Sequence, residues 1–382
     1  MAKKAYIGVD GVARKVKKGY VGVDGVARKI KKTYIGIGGV ARPCWSGGEL
    51  AYYGTITGLS KGRAYLAATT VGNYALFGGG WDYWNSIELT NVDAYNSSLS
   101  RSTPTALSAS RQYLAAATVG NYALFGGGSY VNTSNYSTVN MTTVDAYDTS
   151  LTRTTPTALS QTASRLAATT IGNYALFGGG YAGSTYRKRV NAYNTSLSRS
   201  TATDLKMYRY DLAATTVGNY ALFGGGEARA DDGSYFWCND VDAYDTSLTK
   251  TNPTSLNGQR GCLAATHVGN YALFGGGNYS STKVDAYDAS LTRTSAPDLS
   301  VNRNRVAATT VGNYALFGAG ASAMTVDAYD ASLTRTNPTQ MSGSGTGRAG
   351  LAATTIGNYA LFGGGYNNQI GTFSNVDAYT VA

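Results

Sequence analysis

Seven copies of one string, Gly-Asn-Tyr-Ala-Leu-Phe-Gly, begin at Gly72, Gly120, Gly172, Gly218, Gly269, Gly312 and Gly357, with spacings of 48, 52, 46, 51, 43 and 45 residues. A period of this order means that one supersecondary unit is stacked on copies of itself. Strand signals repeat inside each unit. Ala67 to Val71 reads as a strand, Gly72-Asn73 as a tight turn, and Tyr74 to Phe77 as a second strand running into Gly78-Gly79-Gly80. Val92-Asp93-Ala94-Tyr95 makes a third strand. After a polar turn at Asn96-Ser97-Ser98, Leu99 to Leu107 is expected to make a fourth, with Pro104 tolerated because that strand lies on an edge. Each unit is thus four antiparallel strands.

Seven such units are what a β-propeller requires. Side-chain size follows the radius: the first strand is nearly all Ala, Thr and Val, which suits seven copies crowded round an axis, whereas Tyr and Phe fall on the second and third strands, where a wedge would widen. The seventh unit stops after its third strand, at Val376 to Ala382. Thr55 to Ser60 matches Thr103 to Ser108 at the end of an ordinary unit, so a strand at about residues 50–60 is expected to complete the seventh unit and remove its exposed edge. Residues 46–382 then form one ring.

These repeats resemble the kelch family. The resemblance is carried by a glycine doublet closing the second strand (Gly78-Gly79, Gly126-Gly127), an Asp-Ala-Tyr-Asp third strand (Asp145 to Asp148, Asp242 to Asp245) and an Arg before the first strand. It covers residues 50 to 382 and lacks the Trp that kelch repeats carry after the third-strand Tyr. It implies an all-β chain, a seven-bladed kelch-like β-propeller.

The charge is confined to one end. Residues 1–45 hold eleven basic residues against Asp10 and Asp24, a net +9 of the chain's +10, and the remainder is nearly neutral with 21 basic and 20 acidic groups. A neutral body offers no basic face to nucleic acid. Within this arm Tyr6, Tyr20 and Tyr34 lie 14 apart, each opening a short β-rich run; Asp10-Gly11, Asp24-Gly25 and Gly38-Gly39 mark hairpin turns. Hairpins this small need a partner surface or other copies of themselves, so association of several chains through the arm is one expectation. The wording Gly-Val-Asp-Gly-Val-Ala-Arg-Lys is similar to repeats at the N-termini of structural proteins in tailed phages and prophage-derived particles of Gram-positive hosts. That resemblance implies anchoring of residues 1–45 to other particle proteins, and a location in a virion or phage-like particle assembled in the host cytoplasm.

Several chemistries are disfavoured. Apolar runs are far shorter than the roughly 20 residues of a membrane span, so membrane insertion is not expected. The N-terminal lysines have no apolar stretch behind them, so no signal peptide is expected. Cys44, Cys238 and Cys262 have no zinc or disulfide spacing. His267, the single histidine, stands where other units have a threonine such as Thr70, and reads as a local substitution in a strand. Glu49, Glu88 and Glu227 are the only glutamates, and the third-strand aspartates recur round the ring as architecture would. The expectation is a chain with no enzyme activity, no catalytic residues, no cofactor and no metal.

Two residue sets remain as candidate sites. Arg63, Arg111, Arg209, Arg260, Arg303 and Arg348 stand nine residues before the Gly-Asn turn, with Arg165 two places later in its unit. Entering the innermost strand, all seven are expected at the channel mouth, either as an anion site or as structural residues that pair with third-strand aspartates or cap backbone carbonyls of a neighbouring unit. The second set lies in the loops between the second and third strands, which run from 5 residues (Ala321 to Thr325) to 15 (Ser129 to Thr143) while the turns on the opposite face stay nearly constant. These loops and their margins carry Trp81, Tyr83, Trp84, Tyr130, Tyr136, Tyr181, Tyr186, Tyr235, Trp237, Tyr279 and Tyr366. Divergent aromatic loops on a constant scaffold suit recognition, and planar rings with little charge suit sugar faces. The reading is an adhesive component of a phage tail fibre or baseplate that binds a host-surface glycan or protein. The alternative is an intracellular kelch-like adaptor for a protein partner.

Overall fold

The computed structural model describes residues 48–381 apart from 231, 279, 280, 322, 344 and 346; before residue 48 it describes the backbone of strands alone. These early strands form three two-stranded antiparallel sheets, Tyr6–Val9 with Val12–Lys15, Tyr20–Val23 with Val26–Lys29, and Lys32–Ile37 with Val40–Ser46.

The rest is all-β and propeller-like, built from four-stranded antiparallel sheets. The first is typical: Ala67–Val71, Tyr74–Gly78, Val92–Asn96 and Arg101–Ser102 lie side by side in chain order. Innermost strands of successive sheets adjoin one another, and Ala352–Ile356 lies beside Ala67–Val71, so the row of sheets returns on itself. The last sheet takes its outermost strand from the start of the described body: Leu50–Ile56 pairs antiparallel with Val376–Val381, Ile56 opposite Val376 and Leu50 opposite Val381. Tyr52 fixes this register by donating its hydroxyl to Asp377 Oδ1 at 2.7 Å.

The outermost strand is far shorter than the expected Leu99 to Leu107. Only Arg101–Ser102 pairs in the first sheet, and among sheets whose outermost strand follows the third in the chain the longest, Arg199–Ala202 and Arg293–Ala296, have four residues, against seven in Leu50–Ile56. Two causes act together. Leu99 has a left-handed φ of 61°, still part of the turn, and beyond Ser102 the chain leaves the sheet so that Leu107 can bury its side chain and donate its N–H to Thr90 O at 2.8 Å.

The repeated string now has a physical account. Its first glycine, Gly72, sits at φ 53° in the turn between the first two strands, where an L side chain is strained. Its last glycine is a socket: a Cβ at Gly78 would fall 2.8 Å from Cε1 of Phe125, the phenylalanine of the next sheet. The same seat holds Phe177 on Gly126, Phe223 on Gly178, Phe274 on Gly224, Phe317 on Gly275 and Phe362 on Gly318, and Phe77 on Gly363 closes the series. The third-strand tyrosines add a polar tie across the same seams. Tyr95 donates to Thr57 O at 2.9 Å, Tyr147 to Thr105 O at 2.8 Å and Tyr379 to Thr339 O at 2.7 Å, each reaching the sheet before its own. The apolar core accordingly lies in the seams, as clusters such as Val71, Leu76, Val92, Leu107, Phe125 and Tyr147 that draw on two neighbouring sheets.

If the strand Leu50–Ile56 closes the ring, an internal deletion of residues 46–60 will lower the melting temperature sharply, because it exposes an edge and empties a seam. Unchanged melting in a differential scanning experiment would overturn this account.

Candidate functional site

The arginines divide into two groups. Six of the seven assigned to the channel mouth are not there. Arg63, Arg111, Arg209, Arg260, Arg303 and Arg348 are buried in the sheets and paired with third-strand aspartates: Arg63 with Asp93 at 2.7 Å, Arg111 with Asp145 at 2.6 Å, Arg209 with Asp242 at 2.5 Å, Arg348 with Asp377 at 2.5 Å, and Arg260 and Arg303 with Asp285 and Asp327. Each also donates to the carbonyl of its own second-strand phenylalanine, as Arg63 does to Phe77 O at 3.1 Å. The aspartate gathers further donors. Asp145 accepts from Ser108 N and Oγ, in the loop entering its sheet, and from Arg153 Nη1 at 2.7 Å. Burial presses the pKa of Arg63 and Arg348 down, and the paired aspartate opposes it. The third sheet lacks the pair altogether: Ala163 replaces the arginine and Asn191 the aspartate, and Asn191 Oδ1 keeps the neutral part of the role by accepting from Ser160 N at 2.9 Å. These residues latch the scaffold.

The mouth belongs to residues two places later. Tyr65, Tyr113, Arg165, Asp211, Cys262, Arg305 and Gly350 all have φ between 52° and 63°, and their backbones form a closed ring of hydrogen bonds. Tyr113 N donates to Tyr65 O, Arg165 N to Tyr113 O, Asp211 N to Arg165 O, Cys262 N to Asp211 O, Arg305 N to Cys262 O, Gly350 N to Arg305 O and Tyr65 N to Gly350 O, at 2.7–3.3 Å. The left-handed backbone is forced by this ring, and it costs roughly 1–2 kcal/mol at each residue other than glycine. Leucines at Leu99, Leu151, Leu197, Leu248, Leu291 and Leu333 carry a similar φ of 60–65°, but there the residue never changes, as a packing role demands. At the mouth the backbone is constant and the side chain differs from sheet to sheet. Strain retained under divergent side chains makes this ring a candidate functional position.

Six of these residues, all but Cys262, line an open recess of about 190 Å³. The rings of Tyr65 and Tyr113 lie 4.3 Å apart, and the Arg165 guanidinium covers Tyr113 at 4.3 Å. Arg165 Nη1 pairs with Asp211 Oδ2 at 3.1 Å, to which Cys262 Sγ also donates at 3.3 Å. Arg305 Nη1 donates to the hydroxyls of Tyr65 and Tyr366, each at 2.9 Å. Burial raises the phenol pKa values of Tyr65 and Tyr113 and pushes the Cys262 thiol up to about 12, with Asp211 adding to the latter. The phenols and the thiol are therefore neutral at physiological pH, and Cys262 is a poor nucleophile.

The loop aromatics continue outward from this recess on the same face. Trp81 lies 6.5 Å from Tyr65, Tyr83 5.5 Å from Trp81, and Trp84 5.4 Å from Tyr83, measured between ring centroids. Tyr366 stands 5.3 Å from Tyr65. On the other side Arg165 reaches over Tyr210, which packs against Tyr181 and Tyr186, and Tyr235 rests on Tyr186. Trp84, Tyr136 and Tyr235 are 68%, 85% and 59% exposed. Two residues of the expected surface set serve packing instead. Tyr186 is 5% exposed, held down by a 2.5 Å hydrogen bond to Glu227 and the surrounding tyrosines. Trp237 is half-buried with its indole over Gly261, where a Cβ would fall 2.4 Å from Cζ3. Tyr130 is half-buried on the two-stranded loop sheet whose tip carries Tyr136, and Tyr279 lies outside the described residues. Sequence reasoning missed Tyr65, Tyr113, Tyr210, Asp211 and Arg305. The signal for most of them was divergence two residues after an otherwise regular arginine.

Behind the mouth runs a channel of about 460 Å³ lined by Ala and Thr of the innermost strands. Its threonines bridge adjacent strands, as Thr69 to Thr118 at 2.8 Å and Thr309 to Thr355 at 2.9 Å. His267 lines the same channel, and burial lowers its pKa.

No family model and no curated protein matches this chain. Among solved structures it is similar to that of YjhT, with a TM-score of 0.57 and 11% sequence identity over 74% of this chain and 99% of that one. At this identity the likeness is one of fold, and it places the chain among all-β proteins of propeller-like architecture.

The latches are testable by subtraction. Arg111→Ala leaves Asp145 charged and buried without its main partner and is expected to cost about 3–5 kcal/mol in urea unfolding. The double change Arg111→Ala with Asp145→Asn, which copies the third sheet, should recover most of that loss; a double variant no more stable than the single would contradict the pairing account.

Proposed function

We propose that this chain is a seven-bladed kelch-like β-propeller acting as a non-enzymatic adhesive component of a phage tail or phage-like particle, anchored by residues 1–45 and binding a host-surface glycan with its loop face. One observation carries the binding part of this reading: the unbroken run of rings and guanidinium from Trp84 through Tyr83, Trp81, Tyr65, Tyr113 and Arg165 to Tyr210. Flat apolar faces edged by hydroxyls and guanidinium donors match the alternating C–H faces and hydroxyl rims of sugar rings. The strained, divergent mouth at the centre of the run supports recognition rather than mere rim packing. Anchoring rests on the +9 charge of residues 1–45 and on hairpins too small to stand alone.

Replacing exposed Trp84 and Tyr235 together by Ala is expected to weaken adsorption to host cells roughly 30-fold, the scale of one lost binding hot spot, with the melting temperature and circular dichroism unchanged. Full adsorption by this variant would refute the loop face as the receptor site.

Particles assembled with a chain lacking residues 1–45 are expected to lose the propeller, as read by immunoblot of purified particles. Full retention would refute anchoring by the arm.

A further inference from the structure

Charge at the mouth does not cancel. Arg165 is matched by Asp211, and the six buried arginines are matched by their aspartates. Arg305 has two phenol oxygens for partners, both on Nη1. Among the described residues no carboxylate lies within ion-pair distance of it, and its Nε and Nη2 donate to no protein acceptor. The neighbouring Gly350 makes this arrangement possible. A Cβ there would fall 2.9 Å from the Tyr65 ring, so with glycine in place Tyr65 leans across the gap and its hydroxyl comes within reach of Arg305. The result is a guanidinium held by one edge, its other edge unclaimed, inside a recess walled by the stacked rings of Tyr65 and Tyr113.

We propose that this recess is the specificity subsite of the loop face and takes the carboxylate of an acidic sugar, with Arg305 Nε and Nη2 as its fork, beside the stacked rings of Tyr65 and Tyr113. The proposal rests on the glycan reading above and names its substrate class. Side-on pairing of two parallel N–H donors with the two oxygens of a carboxylate is the arrangement for which an arginine edge is shaped. A single unmatched positive charge suits a monoanion, and Asp211 on the same ring works against the second charge of a phosphate monoester.

The test is calorimetric titration of the full chain with glucuronic acid and with glucuronamide, which differ only in the charge of one group. The acid should bind roughly tenfold or more tightly, as expected when a charge-assisted hydrogen bond is lost. Arg305→Gln should abolish that preference. Equal affinity of the native chain for acid and amide would overturn the subsite while leaving glycan binding in place, a result that needs no variant to fold. Preference retained in Arg305→Gln would also overturn it, as would tighter binding of glucose 6-phosphate than of the acid. Binding of none of these sugars would overturn the subsite, and undiminished adsorption to polysaccharide-stripped cells would overturn the glycan reading itself.

Discussion

A phenylalanine seated on a glycine of the neighbouring sheet is the contact on which this molecule depends. Phe125 on Gly78, and its counterparts round to Phe77 on Gly363, leave no room for a methyl group between adjacent sheets. Because every sheet supplies both the plug and the socket, each seam is the same problem solved again, and a side chain on the socket glycine would force two sheets apart. The third-strand tyrosines run across the same seams and deliver their hydroxyls to backbone carbonyls of the preceding sheet. Apolar packing supplies most of the favourable free energy here, while the tyrosine tie fixes the height at which neighbouring sheets meet.

The buried Arg–Asp pairs act differently. A buried ion pair is poor evidence of net stabilisation, since two desolvated charges offset much of their own attraction. Their position is more informative than their energy. Asp145 joins the arginine of its own sheet, Arg153 on the outermost strand and Ser108 in the incoming loop, so one carboxylate fixes three segments that apolar contacts alone would leave free to slide. The third sheet shows that a neutral version suffices, because Asn191 still holds Ser160.

Much of the fold was legible in the sequence because its information is periodic. Turn glycines, strand alternation and the Tyr-Ala-Leu-Phe run repeat often enough to separate rule from accident. For the arginines, pairing with third-strand aspartates was one of the readings the sequence offered and it holds for six of the seven, whereas their placement at the channel mouth does not. A position nine residues before a turn fixes where the backbone is but not whether its side chain faces the channel or the sheet, and the left-handed residue two places on reverses that choice. A clue was nonetheless present, since the one unit without the arginine is the one whose aspartate has become Asn191. The candidate site was legible only in its outer part. Long aromatic loops draw attention by length, whereas Tyr65, Tyr113 and Arg305 sit in a stretch that looks like the start of a regular strand. Burial of Tyr186 and Trp237 depends on Glu227 and Gly261, partners that no spacing rule connects to them.

The ring of backbone hydrogen bonds at the mouth separates two things that most binding sites entangle. The backbone path there is dictated by main-chain atoms, so Tyr, Arg, Asp, Cys and Gly occupy equivalent seats, while the side chains still constrain one another, as Gly350 alone leaves room for the Tyr65 ring. Exchange of one unit for another would redeal these seats, producing a new chemical combination on the same frame wherever the incoming side chain clears its neighbours, as any residue other than glycine at position 350 would have to clear Tyr65.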